Sequence, residues 1–407
     1  MKVVSHRTFA TPVAALAEPS ALESGGDPLA DAALRAAFTD ALDALEAEQR
    51  HEGILSSPRH QIASLLQTYA AENPPPQTQP TGLEVKFDTR DLGGWIRSFF
   101  DWWRRLRPAK WRAPADEPER VGDGRKLRVG LLADWGTGMY GAPVCAKSLQ
   151  DDGDYQLLMH LGDVYYSGTE HEVRENFLPF WPKIPGAVTR CLNSNHEMYG
   201  GGWGLFNVAM PEFGQAASPC AVMTDDWLLV GLDTGYDDND LAGDQGRWVE
   251  GLVGRAGERR VILFSHHQPF SLLSGQGPKL VSKLDRLLTG GRIFAWYWGH
   301  EHRCVLYDRH AAWNMHGRCI GHGGMPYFRD DVRERFLPEA GDERWLRLPG
   351  RNLVPGGLLL DTPNPYIQGH EDDYGPNGYM TLELDGPRLR ELVHAPDGEI
   401  LREQALA

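Results

Sequence analysis

The sequence predicts a layered α/β protein, and three observations carry that prediction. From Lys126 onward, short apolar runs of strand length alternate with loops and helical segments, at residues 127–133, 156–161, 227–232, 260–265 and 292–298. Each run is followed closely by Gly, Asp, Asn or His. In layered α/β proteins the carboxyl ends of strands are where loops present polar groups to ligands. The chain has 407 residues, 41% hydrophobic and 24% charged, which is the composition of a folded protein with a sizeable core.

Composition also excludes several function classes. With 41 Lys+Arg against 56 Asp+Glu the formal charge is −15, which argues against a nucleic-acid groove. Five cysteines, none in a CxxC pair, cannot form a fully paired disulfide framework and suit a reducing compartment. No run approaches the roughly 18 apolar residues of a membrane span. The first twenty residues contain a weak apolar stretch broken by Pro12 and Glu18, a poor signal peptide. The expected location is cytoplasmic.

The chain divides into an N-terminal helical extension, residues 1–125, and a second domain, residues 126–407. Leu34, Phe38, Leu42 and Leu45 lie on one face of a helix predicted over 28–50. A second helix is expected from Ser57-Pro58, with Ser57 as N-cap and the stripe Ile62, Leu65, Leu66 and Tyr69. A proline-rich linker near 72–82 follows. Residues 94–107 then combine Trp95, Phe99, Phe100, Trp102 and Trp103 with four arginines. Packing of those aromatics on the next domain is the favoured reading, and contact with an anionic membrane is the alternative.

The chemistry lies in the strand ends. They read Ala133-Asp134-Trp135-Gly136, Gly162-Asp163-Val164-Tyr165-Tyr166, Asn193-Ser194-Asn195-His196-Glu197, Ser265-His266-His267 and Gly299-His300-Glu301-His302. Asp, Asn, His and Tyr without cysteine make a hard or borderline donor set, suited to Fe, Mn or Zn. Any one of these residues is ordinary in a turn or a core. Five such ends in one chain are not, and they point to a metal site.

On these motifs residues 126–407 resemble the calcineurin-like metallophosphoesterase superfamily, most closely its purple acid phosphatase branch. The resemblance implies two mixed β-sheets packed as a sandwich flanked by helices. The usual Asp-x-His of the first motif reads Asp-x-Gly here, with Gly136 in place of the histidine, and the branch supplies a tyrosine instead. The position that matches is Tyr166. Carried over in this way, Asp134, Asp163, Tyr166 and His302 would hold one metal. Asp163 would bridge to a second metal held by Asn195, His266 and His300. His266 directly follows its strand, which favours it over His267, although the tandem leaves both open. His196 would protonate the leaving oxygen, while His267 and His322 are candidates for the substrate side. The implied activity is hydrolysis of a phosphate mono- or diester by in-line attack of a metal-bound hydroxide. The implied cofactors are two metal ions, Fe paired with Fe, Mn or Zn, and the implied substrate is a phosphorylated small molecule or nucleotide.

Three departures from the family pattern bear on this: Ser194 replaces a glycine, the histidine pair is tandem, and Arg303-Cys304 follows His302. Two other readings compete. Gly136-Thr137-Gly138-Met139-Tyr140-Gly141 is a GxGxxG after a strand, but it lacks the acidic partner at the right distance for a dinucleotide site. The other is a non-catalytic binding protein on a phosphoesterase fold, which would be expected to have lost ligands.

Overall fold

The computed structural model describes residues 36, 37, 39–41, 43, 44, 60–72, 107–275 and 277–407. Most of the helix expected over 28–50, the Ser57-Pro58 start, nearly all of the 72–82 linker and the aromatic segment 94–107, apart from Arg107, lie outside the described residues. The second expected helix is present as Gln61–Glu72, with Ile62, Leu65 and Leu66 buried as its stripe requires.

All five expected strands form, as Lys126–Leu132, Leu157–His160, Trp227–Gly231, Arg260–Ser265 and Ile293–Trp298. They are divided between two mixed sheets. The six-stranded sheet runs Ile400–Ala405, Arg388–His394, Tyr379–Asp385, Lys126–Leu132, Leu157–His160, Val188–Cys191. Its last three strands are parallel, and the others are antiparallel. The second sheet has ten strands, with Trp227–Gly231, Arg260–Ser265, Ile293–Trp298 and His316–Ile320 adjacent and parallel at its centre. Its edge strand Glu119–Arg120 starts the sheet before Lys126.

Alternation along the strands sorts side chains between the layers. Val129, Leu131, Leu157 and Met159 face Leu229, Ile262, Phe264 and Ala295 in the core between the sheets. Leu228, Val230, Val261 and Leu263 turn the other way, under the helices Gln245–Arg255 and Pro278–Thr289. On the opposite side, Leu132 and Leu158 pack on Cys145, Ala146 and Leu149 of the helix Ala142–Asp152. One polar bridge crosses the core: Arg318 Nε bonds Glu391 at 2.9 Å, and Glu391 also accepts from Tyr297 and Gln404. Satisfied in this way, the buried pair fixes how the two sheets register.

Parallel neighbours end at the same side of a sheet. The loops after residues 132, 160, 191, 231, 265 and 298 therefore gather at one rim of the sandwich, where both sheets contribute.

Candidate metal centre

Four side chains at that rim sit on left-handed backbone: Asp134 (φ 53°), Asp163 (φ 76°), His300 (φ 70°) and His302 (φ 54°). Such a conformation costs a non-glycine residue on the order of 1–3 kcal/mol and persists where the surroundings demand it. Here the turns come two to four residues beyond the strand ends at Leu132, His160 and Trp298. Neighbouring glycines make the turns possible. A Cβ on Gly299 would lie 2.5 Å from Asp134 Oδ2, and one on Gly162 would lie 2.7 Å from His266 Nδ1.

The turned side chains converge into two groups, Asp134–Asp163–His302 and His266–His267–His300, each with its donor atoms within 4.8 Å of one another. Asp163 reaches both groups. Its Oδ1 is 3.3 Å from His266 Nε2, and its Oδ2 accepts from the Tyr165 hydroxyl at 2.8 Å. Asn195 joins the second group, with Oδ1 at 3.0 Å from His266 Nε2.

Protons can be assigned around His266. Its Nδ1 is 3.0 Å from the Leu161 carbonyl, which can only accept, so Nδ1 carries the hydrogen and Nε2 offers a lone pair. Asn195 Nδ2 donates to the Tyr199 hydroxyl at 3.0 Å, which aims Oδ1 inward. His266 Nε2, Asn195 Oδ1 and Asp163 Oδ1 thus converge, with His300 Nδ1 also 3.0 Å from His266 Nε2. Convergent lone pairs in a buried site repel unless a cation sits among them, and a histidine that donates its second N–H to a backbone carbonyl has the usual support of a metal ligand. The donor set therefore fits a metal ion.

Were the histidines protonated rather than neutral, they would act on Asp163 as cations. Burial raises the Asp163 carboxyl, yet the facing His196, His266 and His302 with the Ser194 hydroxyl hold it far below the usual range. Glu197, buried beside that charge, is pushed up to about 8 by desolvation and then by Asp163. Its carboxylate accepts the Val164 amide at 2.8 Å and the Asp163 amide at 3.2 Å, bracing the turn that presents Asp163.

Residues 127–304 match the sequence model of the calcineurin-like phosphoesterase family. No curated protein matches the chain. Among solved structures the chain is similar to GAP50, the anchor in the inner membrane complex of Plasmodium, at 12% identity and a TM-score of 0.46 over 69% of this chain and 88% of that one. It is similar to PhoD at 9% identity and a TM-score of 0.40, over 71% and 70%. Vacuolar protein sorting 29 from Cryptosporidium parvum follows at 11% identity and a TM-score of 0.31, over 69% and 97%.

Beside the tyrosine expected from the sequence, its neighbour also reaches the first group. The hydroxyl that bonds into the Asp134–Asp163–His302 group belongs to Tyr165, which lies 3.0 Å from His302 Nε2. The expectation named Tyr166. Tyr165 and Tyr166 are joined by a cis peptide bond, and both are buried in one cluster with Met325. Tyr166 is held by its backbone: its N–H donates to Glu172 at 2.5 Å and its carbonyl lies 2.5 Å from His196 Nδ1.

Other expected residues are placed as follows. His196 is buried, with Nε2 3.9 Å from Asp163 Oδ2. His267 stands in the second group and places Nδ1 3.0 Å from Thr234 Oγ1. His322 belongs to neither group; it is buried, with Nδ1 3.2 Å from the Ile320 carbonyl. In the GxGxxG loop the Gly136 amide donates to Asp163 O and the Gly141 amide to Asn377, so those groups bind protein.

Ser194, read in the sequence only as a departure from the family pattern, and Glu197 and Thr234, given no role there, contribute to the site. Ser194 caps the short helix Asn195–Tyr199 by accepting the His196 and Glu197 amides, and its hydroxyl also contacts Asp163 and Glu197. The Ser-x-x-Glu pattern before a helical turn was the available signal.

Proposed function

We propose that the chain carries a calcineurin-like phosphoesterase domain and is a hydrolase that uses two metal ions to cleave phosphate esters. The observation that carries the reading is Asp163, whose two oxygens face different groups of donors. Asp134, Asp163, Tyr165 and His302 would hold one ion, and Asp163, Asn195, His266 and His300 the other. His267 is an additional donor beside the second position. Two ions bound there would supply Lewis acidity at phosphorus and a water of lowered pKa.

The chain's own residues do the rest. His196 donates its Nδ1 proton to the Tyr166 carbonyl, which points Nε2 toward the site, where it can hand a proton to the departing oxygen. Ser194 and Glu197 keep Asp163 in position. A tyrosine in the first group and Gly136 in place of a histidine support kinship with the purple acid phosphatase branch. A phenolate ligand would suit Fe(III) there, with Fe, Mn or Zn beside it. The neighbouring tyrosine takes the place of the branch's usual one.

We take residues 126–407 as the catalytic unit and residues 1–125 as its extension. No helix among the described residues is long and apolar enough to cross a membrane. All five cysteines are free, which supports a cytoplasmic setting.

Hydrolysis of an aryl phosphate monoester and its diester counterpart by Mn- or Fe-loaded protein tests the reading, with metal content measured in parallel. His302→Ala should lower turnover at least about 100-fold, the scale of losing a group that stabilises the transition state. Folded, metal-loaded protein that turns over neither ester would leave a binding role.

A further inference from the structure

Glu172 accepts more hydrogen bonds than its place in the chain requires. Thr169 and Glu172 form a capping box at the turn Glu170–Glu172: Thr169 Oγ1 accepts the Glu172 amide, and the Glu172 side chain accepts the Thr169 amide at 3.1 Å. A capping box asks its glutamate for that bond alone. Here the buried carboxylate also accepts the Tyr166 amide at 2.5 Å, the Ser167 amide at 3.0 Å and the Thr68 hydroxyl at 3.0 Å. Burial pushes the carboxyl up, and the three amides oppose that by favouring the charged form.

Thr68 comes from the helix Gln61–Glu72, which precedes the residues matched by the phosphoesterase family. That helix is tied to the rim at both ends. Gln61 Nε2 donates to the Tyr199 carbonyl at 3.3 Å, at the end of the turn that carries Asn195 and His196. Glu72 accepts from the Thr169 hydroxyl at 3.1 Å. Between them Ile62, Leu65 and Leu66 are buried, so the helix is seated by packing as well as by these bonds.

The loop that Glu172 gathers is the one that orients His196. Tyr166 gives its amide to Glu172 and offers its carbonyl to His196 Nδ1 at 2.5 Å. The Tyr165 carbonyl, one peptide earlier, accepts from Asn176 at 2.9 Å. There is no slack between this loop and the turn carrying His196. A Cβ on Gly168 would lie 2.6 Å from Glu197 Cα, and one on Gly200 would lie 2.3 Å from the Ser167 carbonyl oxygen. Close-packed backbone passes a displacement on rather than absorbing it, so a shift of the Tyr166 peptide reaches the imidazole. A general acid works only within hydrogen-bond reach of the leaving oxygen, which makes such a shift costly to the chemical step.

We propose that Thr68 and Glu172 are positioning residues for His196, and that the helix Gln61–Glu72 sets, through the Tyr166 peptide, how well His196 protonates the leaving oxygen. This rests on the hydrolase reading above. The N-terminal helix then acts on the chemical step and not on substrate binding.

The test compares phenyl phosphate, whose poor leaving group needs the proton, with 4-nitrophenyl phosphate, whose good one does not, on the full chain loaded with Mn²⁺. Thr68→Val keeps the shape of the side chain and removes the donor. It should lower kcat for phenyl phosphate about fivefold to tenfold, part of what a general acid contributes, with KM within about twofold of wild type. For 4-nitrophenyl phosphate kcat should fall by about twofold at most. Thr68→Ser restores the donor and should restore the wild-type ratio of the two rates. Glu172→Gln sets an NH₂ group against N–H donors and should lower that ratio further; should it not fold, the two Thr68 variants carry the test. Equal losses on both esters, a change in KM alone, or an unchanged ratio would overturn the positioning role. If the wild type cleaves neither ester, the hydrolase reading fails separately. The His196 Nδ1 resonance of Zn²⁺-loaded, ¹⁵N-histidine-labelled protein, assigned with His196→Gln, then decides: a shift in Thr68→Val that Thr68→Ser reverses upholds the coupling, and an unmoved resonance overturns it.

Discussion

The hydroxyl of Tyr165 is 2.8 Å from Asp163 and 3.0 Å from His302, and burial and then the charges of Asp163 and Asp134 raise it well above the ordinary phenol range. A trivalent cation in the group would reverse that preference, because its charge stabilises the phenolate more than two carboxylates oppose it. This makes an optical prediction. Protein loaded with Fe(III) should show a visible phenolate-to-iron charge-transfer band. Tyr165→Phe should abolish the band, whereas Tyr166→Phe should keep it. The opposite pattern would return the ligand role to Tyr166. Sequence could show that a tyrosine follows Asp163, but two tyrosines stand in tandem and which of them faces inward is decided by the backbone. The same holds for His266-His267, where both imidazoles reach one group and no spacing rule separates them.

At the scale of elements, what was legible is what two-sided burial writes into a strand. The five expected runs are nearly continuous apolar stretches, because parallel strands inside a layered protein are covered on both faces. The hairpin Tyr379–Asp385 and Arg388–His394 is closed by Gly386-Pro387, with Gly386 at φ 57°; that signal was present but weaker than an apolar run. Gly136 shows how an element constrains the site. It bridges to Val164, and a Cβ there would lie 2.7 Å from Val164 Cα and 2.8 Å from Asp163 O, both backbone atoms that cannot swing aside. No side chain fits, so the histidine of the commoner motif is sterically excluded from this loop pair. Gly136→Ala should cost about 1–3 kcal/mol of stability and push apart the loops that carry Asp134 and Asp163. Chemical denaturation should report the first effect, and metal affinity about 10-fold or more weaker the second. An unchanged midpoint and affinity would mean that the loops yield easily.

For the whole molecule, the testable consequence is how stability responds to acid. His160 lies at the end of its strand in a cage of Trp135, Phe177 and Trp181, and burial drives its pKa down to about 3 from 6.5. His316, on the other sheet, falls to about 4, again through burial. Folding therefore favours the neutral imidazole at both positions. Their contribution is fully present above pH 6.5 and is lost as pH falls through 6.5 toward 3 to 4, because the unfolded chain takes up protons that the folded chain refuses. Asp233 acts in the opposite sense, since burial raises it to about 6 and the folded state gains that proton before the unfolded state does. The imidazoles outnumber it, so stability should decline on balance between pH 6 and 4. Replacing His160 with leucine removes one refused proton. Urea titrations at pH 7, 6, 5 and 4 should then show the His160→Leu curve flatter than wild type by about 1.4 kcal/mol per pH unit below pH 6. Parallel curves would show that His160 accepts a proton in the folded state, which the aromatic cage could allow only by opening.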